Sequence, residues 1–107
     1  MRQKKTQLQA YTVMSQDWTH RFAEASEFVR STKPGSNNNT ISDKDKLKVY
    51  ALYKQAKLGD NYTKEPWMIQ LTEHMKWDAW KRLQGMSKET AMKTYVELVN
   101  KLYGKLR

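Results

Sequence analysis

The sequence predicts an all-α domain, a bundle of four helices, and three observations carry that prediction. Apolar residues recur at steps of three and four rather than two, the spacing that places them on one side of a helix. Two serines, Ser42 and Ser87, stand where helix N-caps belong. Breakers fall between the periodic segments: Lys33-Pro34-Gly35-Ser36 with the following Asn37-Asn38-Asn39, then Gly59, Gly85 and Gly104. No stretch alternates cleanly enough to read as a strand. At 107 residues there is room for a single core.

The first helix is expected from about Trp18 to Arg30, with Phe22, Ala25, Ser26 and Val29 at helical spacing. The Pro-Gly-Asn stretch ends it. The second starts at Ser42, where Ser-Asp-Lys-Asp resembles a capping box. It presents Leu47, Tyr50, Ala51, Lys54 and Leu58 on one broad face until Gly59 stops it. Residues 59–72 form a long connection, and in a domain this small such a loop is more often functional than idle. The third helix is short, from about Glu73 to Leu83. The fourth follows the Ser87 cap, with Met92, Tyr95, Val96, Val99, Leu102 and Tyr103 in register, and ends at Gly104. Residues 18–104 are thus expected to form the domain, with 1–17 a disordered extension and 105–107 a short tail.

Twenty basic against eleven acidic residues give a net charge of +9, which calls for an anionic partner. The excess is not confined to the extension. Arg2, Lys4 and Lys5 against Asp17 leave +7 on residues 18–107. The absence of cysteine removes disulfides, thiolate catalysis and cysteine-based zinc sites together, and fits a reducing compartment. His20 and His74 are not spaced as a metal pair and read as ordinary surface residues. No Ser/His/Asp set, paired carboxylates or Gly-rich phosphate loop is present, so an enzyme is not expected. No apolar run spans a bilayer. The N-terminus lacks a secretory pattern, which leaves the cytoplasm as the expected location and a mitochondrial address as the lesser alternative.

On the second helix Tyr50, Tyr53, Lys54 and Lys57 fall within one arc, because offsets of three, four and seven return to the same side. On the third, Lys76 and Trp80 share a face while Trp77 points elsewhere. Packed together, these helices would converge two lysines on several rings, a pattern suited to a ligand carrying both phosphate and a flat base. The plainer alternative stands beside it: tyrosines at helical spacing are commonly half-buried core, and exposed lysines commonly only solvate. Tyr95 lies on an apolar stripe, and Asp78 between two tryptophans could be a buried ion-pair partner.

The blocks Tyr50-Ala-Leu-Tyr53-Lys54-Gln-Ala-Lys-Leu-Gly59-Asp60, Pro66, Lys76-Trp-Asp-Ala-Trp80 and Ser87-Lys-Glu-Thr-Ala-Met-Lys-Thr-Tyr95 resemble the acyl-CoA-binding protein family in order and separation. The similarity covers about Trp18 to Tyr103. It implies an up-down-down-up four-helix bundle that binds medium- to long-chain acyl-CoA thioesters non-covalently, without a cofactor or metal, as a monomeric carrier serving acyl-CoA-using enzymes and making transient membrane contact. The ligand positions it implies are Arg30 (a lysine in many relatives), Tyr50, Tyr53, Lys54, Lys76 and Tyr95. Lys54 would be the principal phosphate partner, Tyr95 would pack against the adenine, and Pro66 to Leu71 would help cover the pantetheine and acyl portion. The sequence departs from the family pattern at the Asn-rich stretch from Gly35 to Ile41, at Trp67 where glycine is usual, at Leu71 where phenylalanine is usual, and at Ser26 where alanine is common. A basic helical nucleic-acid-binding module is the alternative that the charge and exposed aromatics suggest.

Overall fold

The computed structural model describes residues 18–31 and 41–104, so the expected extension, the Asn-rich stretch and the last three residues lie outside the described part. Within it are four helices and no strand: α1 over 18–31, α2 over Asp43–Leu58, α3 over Leu71–Lys81 and α4 over Lys88–Tyr103. Local chemistry sets the starts of α2 and α4. The hydroxyl of Ser42 accepts from the Asp45 amide at 3.1 Å, and that of Ser87 from the Thr90 amide at 3.0 Å. Each satisfies an amide that the first turn leaves without a partner. Gly59 closes α2 at φ 83°, donating its N–H to the Gln55 carbonyl at 2.9 Å. A side chain at that φ would be strained.

α3 lies two residues earlier than the spacing predicts at both ends. A turn in which the Gln70 amide donates to the Trp67 carbonyl, followed by His74 N–H to the Gln70 carbonyl, winds the chain into helix at Leu71 without a side-chain cap. At the far end, Leu83 and Gln84 bond three residues back, to Trp80 and Lys81, so the last turn tightens out of α geometry.

The helix directions follow from which residues meet. Phe22 packs on Tyr95 and Phe28 on Tyr103, so α1 and α4 run parallel. Lys76 meets Tyr50 and Trp80 meets Lys54, so α2 and α3 also run parallel. Gln55, near the end of α2, donates to the Met86 carbonyl just before α4, which sets those two helices antiparallel. The result is the up-down-down-up bundle. Parallel neighbours need a connection that travels the length of the bundle, which is why residues 59–70 make a long crossing.

The core is built by α1, α2 and α4 from Phe22, Ala25, Val49, Leu52, Ala56, Ala91, Tyr95, Val96 and Val99. Three alanines at this centre, Ala25, Ala56 and Ala91, let the helix axes approach closely. α3 contributes a single fully buried side chain, Trp80, whose indole N–H donates to the Gly59 carbonyl at 2.8 Å. α3 is therefore fastened by polar contacts as much as by packing. Asn61, fully buried, donates to the Trp77 carbonyl at 3.2 Å; Trp77 donates to the Thr63 carbonyl at 3.1 Å; Lys81 donates to the Asn61 carbonyl at 3.1 Å. Asp60 ties the same corner to the α3–α4 turn, accepting from Gln55 at 2.9 Å and from the Gly85 amide at 2.8 Å. Those bonds hold its carboxyl below the usual carboxylate range, the Gly85 amide contributing most.

Candidate functional site

Two depressions flank α2, and they share no residue. The first is an open cleft of about 740 Å³ between α1, α2 and α4. Ser26, Val29 and Arg30 wall it from α1, Tyr50, Tyr53 and Lys57 from α2, and Tyr95 and Tyr103 from α4. The second is a groove of about 630 Å³ on the other side of α2, lined largely by Leu47, Ala51, Met75, Ala79, Leu83 and Leu98. α2 thus presents Tyr50, Tyr53, Lys46 and Lys57 on one flank, and Leu47 and Ala51 beside Lys44 and Lys48 on the other, with its core stripe between.

The aromatic floor of the first cleft is a cluster of three rings. Phe22 stacks on Tyr53 at 5.9 Å between centroids and meets Tyr95 edge-on at 5.0 Å, while Tyr53 and Tyr95 lie 6.2 Å apart. Tyr95 is 2% exposed, deeper than a residue whose whole ring face would meet a ligand. Burial is the main reason its hydroxyl sits well above the ordinary phenol value, with Tyr103 and Tyr53 as smaller like-charge causes. Burial likewise raises Tyr103. Tyr50 is raised by burial first and by the Glu73 carboxylate second. All three stay neutral at physiological pH and keep an O–H to donate.

The cations are arranged in two sets. Lys46, Lys57 and Arg30 belong to the cleft itself. Lys54 and Lys76 converge instead on Tyr50, their ammonium groups 5.9 and 5.4 Å from its ring centroid, and Lys54 also lies 5.2 Å from the Trp80 ring. The electron-rich ring faces hold both lysines in place without neutralising them, so their charge remains available to an anion. Arg30 differs. Its guanidinium is paired with Glu27, one turn earlier on the same exposed face, and an incoming phosphate must compete with that carboxylate.

Of the six sequence-predicted positions, Arg30, Tyr50, Tyr53 and Tyr95 line the cleft, and Lys54 and Lys76 reach it only beside Tyr50. Tyr50 is the one residue common to both sets. Lys46 escaped the sequence reading, although it sits four residues before Tyr50 and eleven before Lys57 on the same side of α2. Tyr103 and Ser26 complete the walls from α4 and α1. Two other expectations need correction or completion. His74 is not an ordinary surface histidine: its side chain is 16% exposed and its Nε2 lies 2.7 Å from the Glu65 carboxylate. Asp78 is an ion-pair partner, accepting from Arg82 at 2.8 Å on the exposed side of α3 rather than in the interior. Among the described residues no group of three or more His, Asp or Glu is placed to hold a metal, and no helix is long and apolar enough to cross a membrane.

Comparison with known proteins gives the arrangement a family. A family model described as Acyl CoA binding protein matches residues 19–99. The chain is 44% identical over 79 residues to acyl-CoA-binding domain-containing protein 2 of Oryza sativa subsp. japonica, covering 74% of this chain and 85% of that one. It is 39% identical over 84 residues to acyl-CoA-binding protein homolog 1 of Caenorhabditis elegans, covering 78% and 92%. Among solved structures, acyl-CoA-binding protein 2 of Oryza sativa superposes with a TM-score of 0.70 at 38% identity, covering 80% of this chain and 90% of that chain. The protein from Moniliophthora perniciosa superposes at 0.73 with 34% identity, covering 78% of each. The match runs through all four helices and both lysine-bearing blocks, and on that footing this chain belongs to the acyl-CoA-binding protein family.

Proposed function

We propose that this protein binds medium- to long-chain fatty acyl-CoA thioesters non-covalently and acts as an intracellular carrier and pool former for them. The observation that carries the reading is the position of Tyr50. It lines the cationic, aromatic cleft on one flank of α2, and the aliphatic groove lies on the other flank of the same helix. A ligand with a phosphorylated nucleotide at one end and an alkyl chain at the other needs both surfaces at once.

The site residues follow from that division. Lys54 and Lys76, steadied over Tyr50, would meet phosphate oxygens, with the Tyr50 hydroxyl donating a further bond. Arg30, Lys46 and Lys57 would add charge around the cleft, and Tyr53 and Tyr95 would floor the base pocket. Because Tyr95 is so deep, it would support the adenine from beneath through its edge and its neighbours. The tail would be covered by aliphatic side chains. Burying it is worth about 0.8 kcal/mol per methylene, so a long chain supplies on the order of 10 kcal/mol before ordering costs. Phosphate contacts then select CoA esters over free fatty acids, which would leave the cationic cluster without a partner. The role is binding and delivery, with no bond made or broken, and we place it as a cytoplasmic monomer in exchange with acyl-CoA-using enzymes and membranes. Residues 18–104 would supply the binding unit.

The test is a calorimetric comparison of palmitoyl-CoA, free palmitate and free CoA at moderate salt. Tight binding of the thioester alone is the expected result; absence of binding, or equal binding of palmitate, overturns the reading. The nucleic-acid alternative makes the opposite forecast, an affinity that collapses with salt as many phosphate contacts are screened, and a gel shift at physiological salt decides it.

A further inference from the structure

The crossing between α2 and α3 is rigid at its base and bare at its tip. Residues 61–65 are stapled to α3 through Asn61 to Trp77, Trp77 to Thr63, Lys81 to Asn61 and His74 to Glu65. Beyond that clamp the chain makes the Trp67–Gln70 turn and presents apolar side chains outward. Trp67 is 75% exposed, Met68 67%, Ile69 91% and Leu71 58%, with Tyr62 at 82% at the base. Ile69 is nearly as open as an isolated residue. A tip of this composition costs free energy in water, and the bonds beneath it keep it from folding back.

Resting on the acyl-CoA reading, we propose that this tip is a membrane-docking element, inserting Trp67, Met68 and Ile69 into the interfacial zone of a bilayer that bears anionic lipid. Three features favour a bilayer as the occupant. Trp and Tyr flanking aliphatic residues suit the headgroup boundary, where an amphipathic ring is at home. The net charge of +9 draws the molecule to an anionic surface. The third is continuity. Leu71 and Met75 are four residues apart on one side of α3, both exposed, and Met75 also lines the aliphatic groove. An apolar track therefore runs from the tip along α3 into the groove proposed for the tail. A single acyl chain leaving a bilayer along this track would not have to cross open water.

The test uses the full chain without ligand and phosphatidylcholine vesicles with and without phosphatidylserine. Flotation should show binding strengthened by phosphatidylserine. Lipids brominated on the acyl chain should quench tryptophan emission in the parent protein, and Trp67→Phe should remove that quenching while still binding. Ile69→Asp, at a site too exposed to affect folding (checked by circular dichroism), should weaken vesicle binding by about tenfold or more. Undiminished binding of Ile69→Asp that is abolished by salt would assign docking to overall charge and overturn the proposal. So would quenching that survives Trp67→Phe, or failure of the parent to bind either vesicle. Calorimetry with palmitoyl-CoA in vesicle-free solution is read separately: loss of that binding overturns the carrier reading, whereas thioester binding without vesicle binding overturns only the docking element.

Discussion

The ammonium of Lys76, on α3, lies 5.4 Å from the ring centroid of Tyr50, on α2, and this contact joins the third helix to the cationic cluster. Lys54 meets the same ring at 5.9 Å. Both charges stand beside one phenol, so a phosphate that binds there would gain from the two together. Lys54→Ala should weaken palmitoyl-CoA binding by about 1.5–3 kcal/mol, the range for a lost charge-assisted bond. Lys76→Ala should act in the same direction, and the double variant should depart from additivity by about 0.5 kcal/mol or more because both lysines share Tyr50. Calorimetry of the cycle checks this; strict additivity would mean that the two lysines act on separate parts of the ligand.

Tyr50 can be dissected further. Tyr50→Phe keeps the ring over which the lysines sit and removes only the donor, so about 0.5–1.5 kcal/mol of CoA-ester affinity should be lost. Tyr50→Ala removes the platform as well and should cost clearly more. Equal losses in the two variants would assign the entire contribution to the hydroxyl.

Arg30 is tethered to Glu27, and both side chains are largely exposed, at 78% and 61%. Freeing the arginine should help a phosphate, but only modestly, because exposed pairs are worth up to about 1 kcal/mol. Glu27→Gln should therefore raise CoA-ester affinity by up to about fivefold, an effect that added salt diminishes. A fall in affinity would show that Glu27 orients Arg30 rather than competing for it.

The depth of Tyr95 has a consequence for pH. Its phenol is favoured neutral in the folded state and has a raised pKa, so the stability it contributes is intact below the ordinary value of 10.0 and is lost as pH climbs beyond it. Thermal melts from neutral pH to about pH 11 should show an alkaline decline that Tyr95→Phe flattens. A decline of equal steepness in the variant would assign it to other groups.

Gln55 is a structural counterpart with no exposure. Both amide hydrogens are committed, to Asp60 at 2.9 Å and to the Met86 carbonyl at 2.8 Å. Gln55→Ala should destabilise the bundle by about 2–4 kcal/mol in urea unfolding, from the cavity and from the orphaned partners together. A loss within about 0.5 kcal/mol would mean that water replaces the amide at little cost.

Periodicity and the two serine caps placed α2 and α4 within a residue of where they lie, because capping and apolar spacing are local properties. α3 was displaced by two residues, since its start is a turn between Trp67 and Gln70 with no capping side chain to announce it. The convergence of Lys54 and Lys76 was legible once offsets of four were read as one face. Their separation from the cleft was not, because a four-carbon side chain can reach in several directions and the Tyr50 and Trp80 rings choose one. His74 gave no local signal of its tie to Glu65, nine residues away across an irregular crossing. The bare tip at Trp67 to Leu71 is equally invisible to hydropathy, which registers apolar residues without saying whether anything covers them.

By itself the sequence determined the helical class, the chain's charge and the residue types from which a phosphate-and-ring site could be made, since these depend on composition and on spacing along one helix. Only the tertiary structure decided which lysines share a ring, that Arg30 is held by Glu27, how far Tyr95 sinks below the cleft, and that the crossing is clamped beneath an exposed apolar tip. Each of those is a contact between side chains whose geometry is settled when the helices pack. Until then a lysine has many equivalent rotamers, and packing removes all but a few.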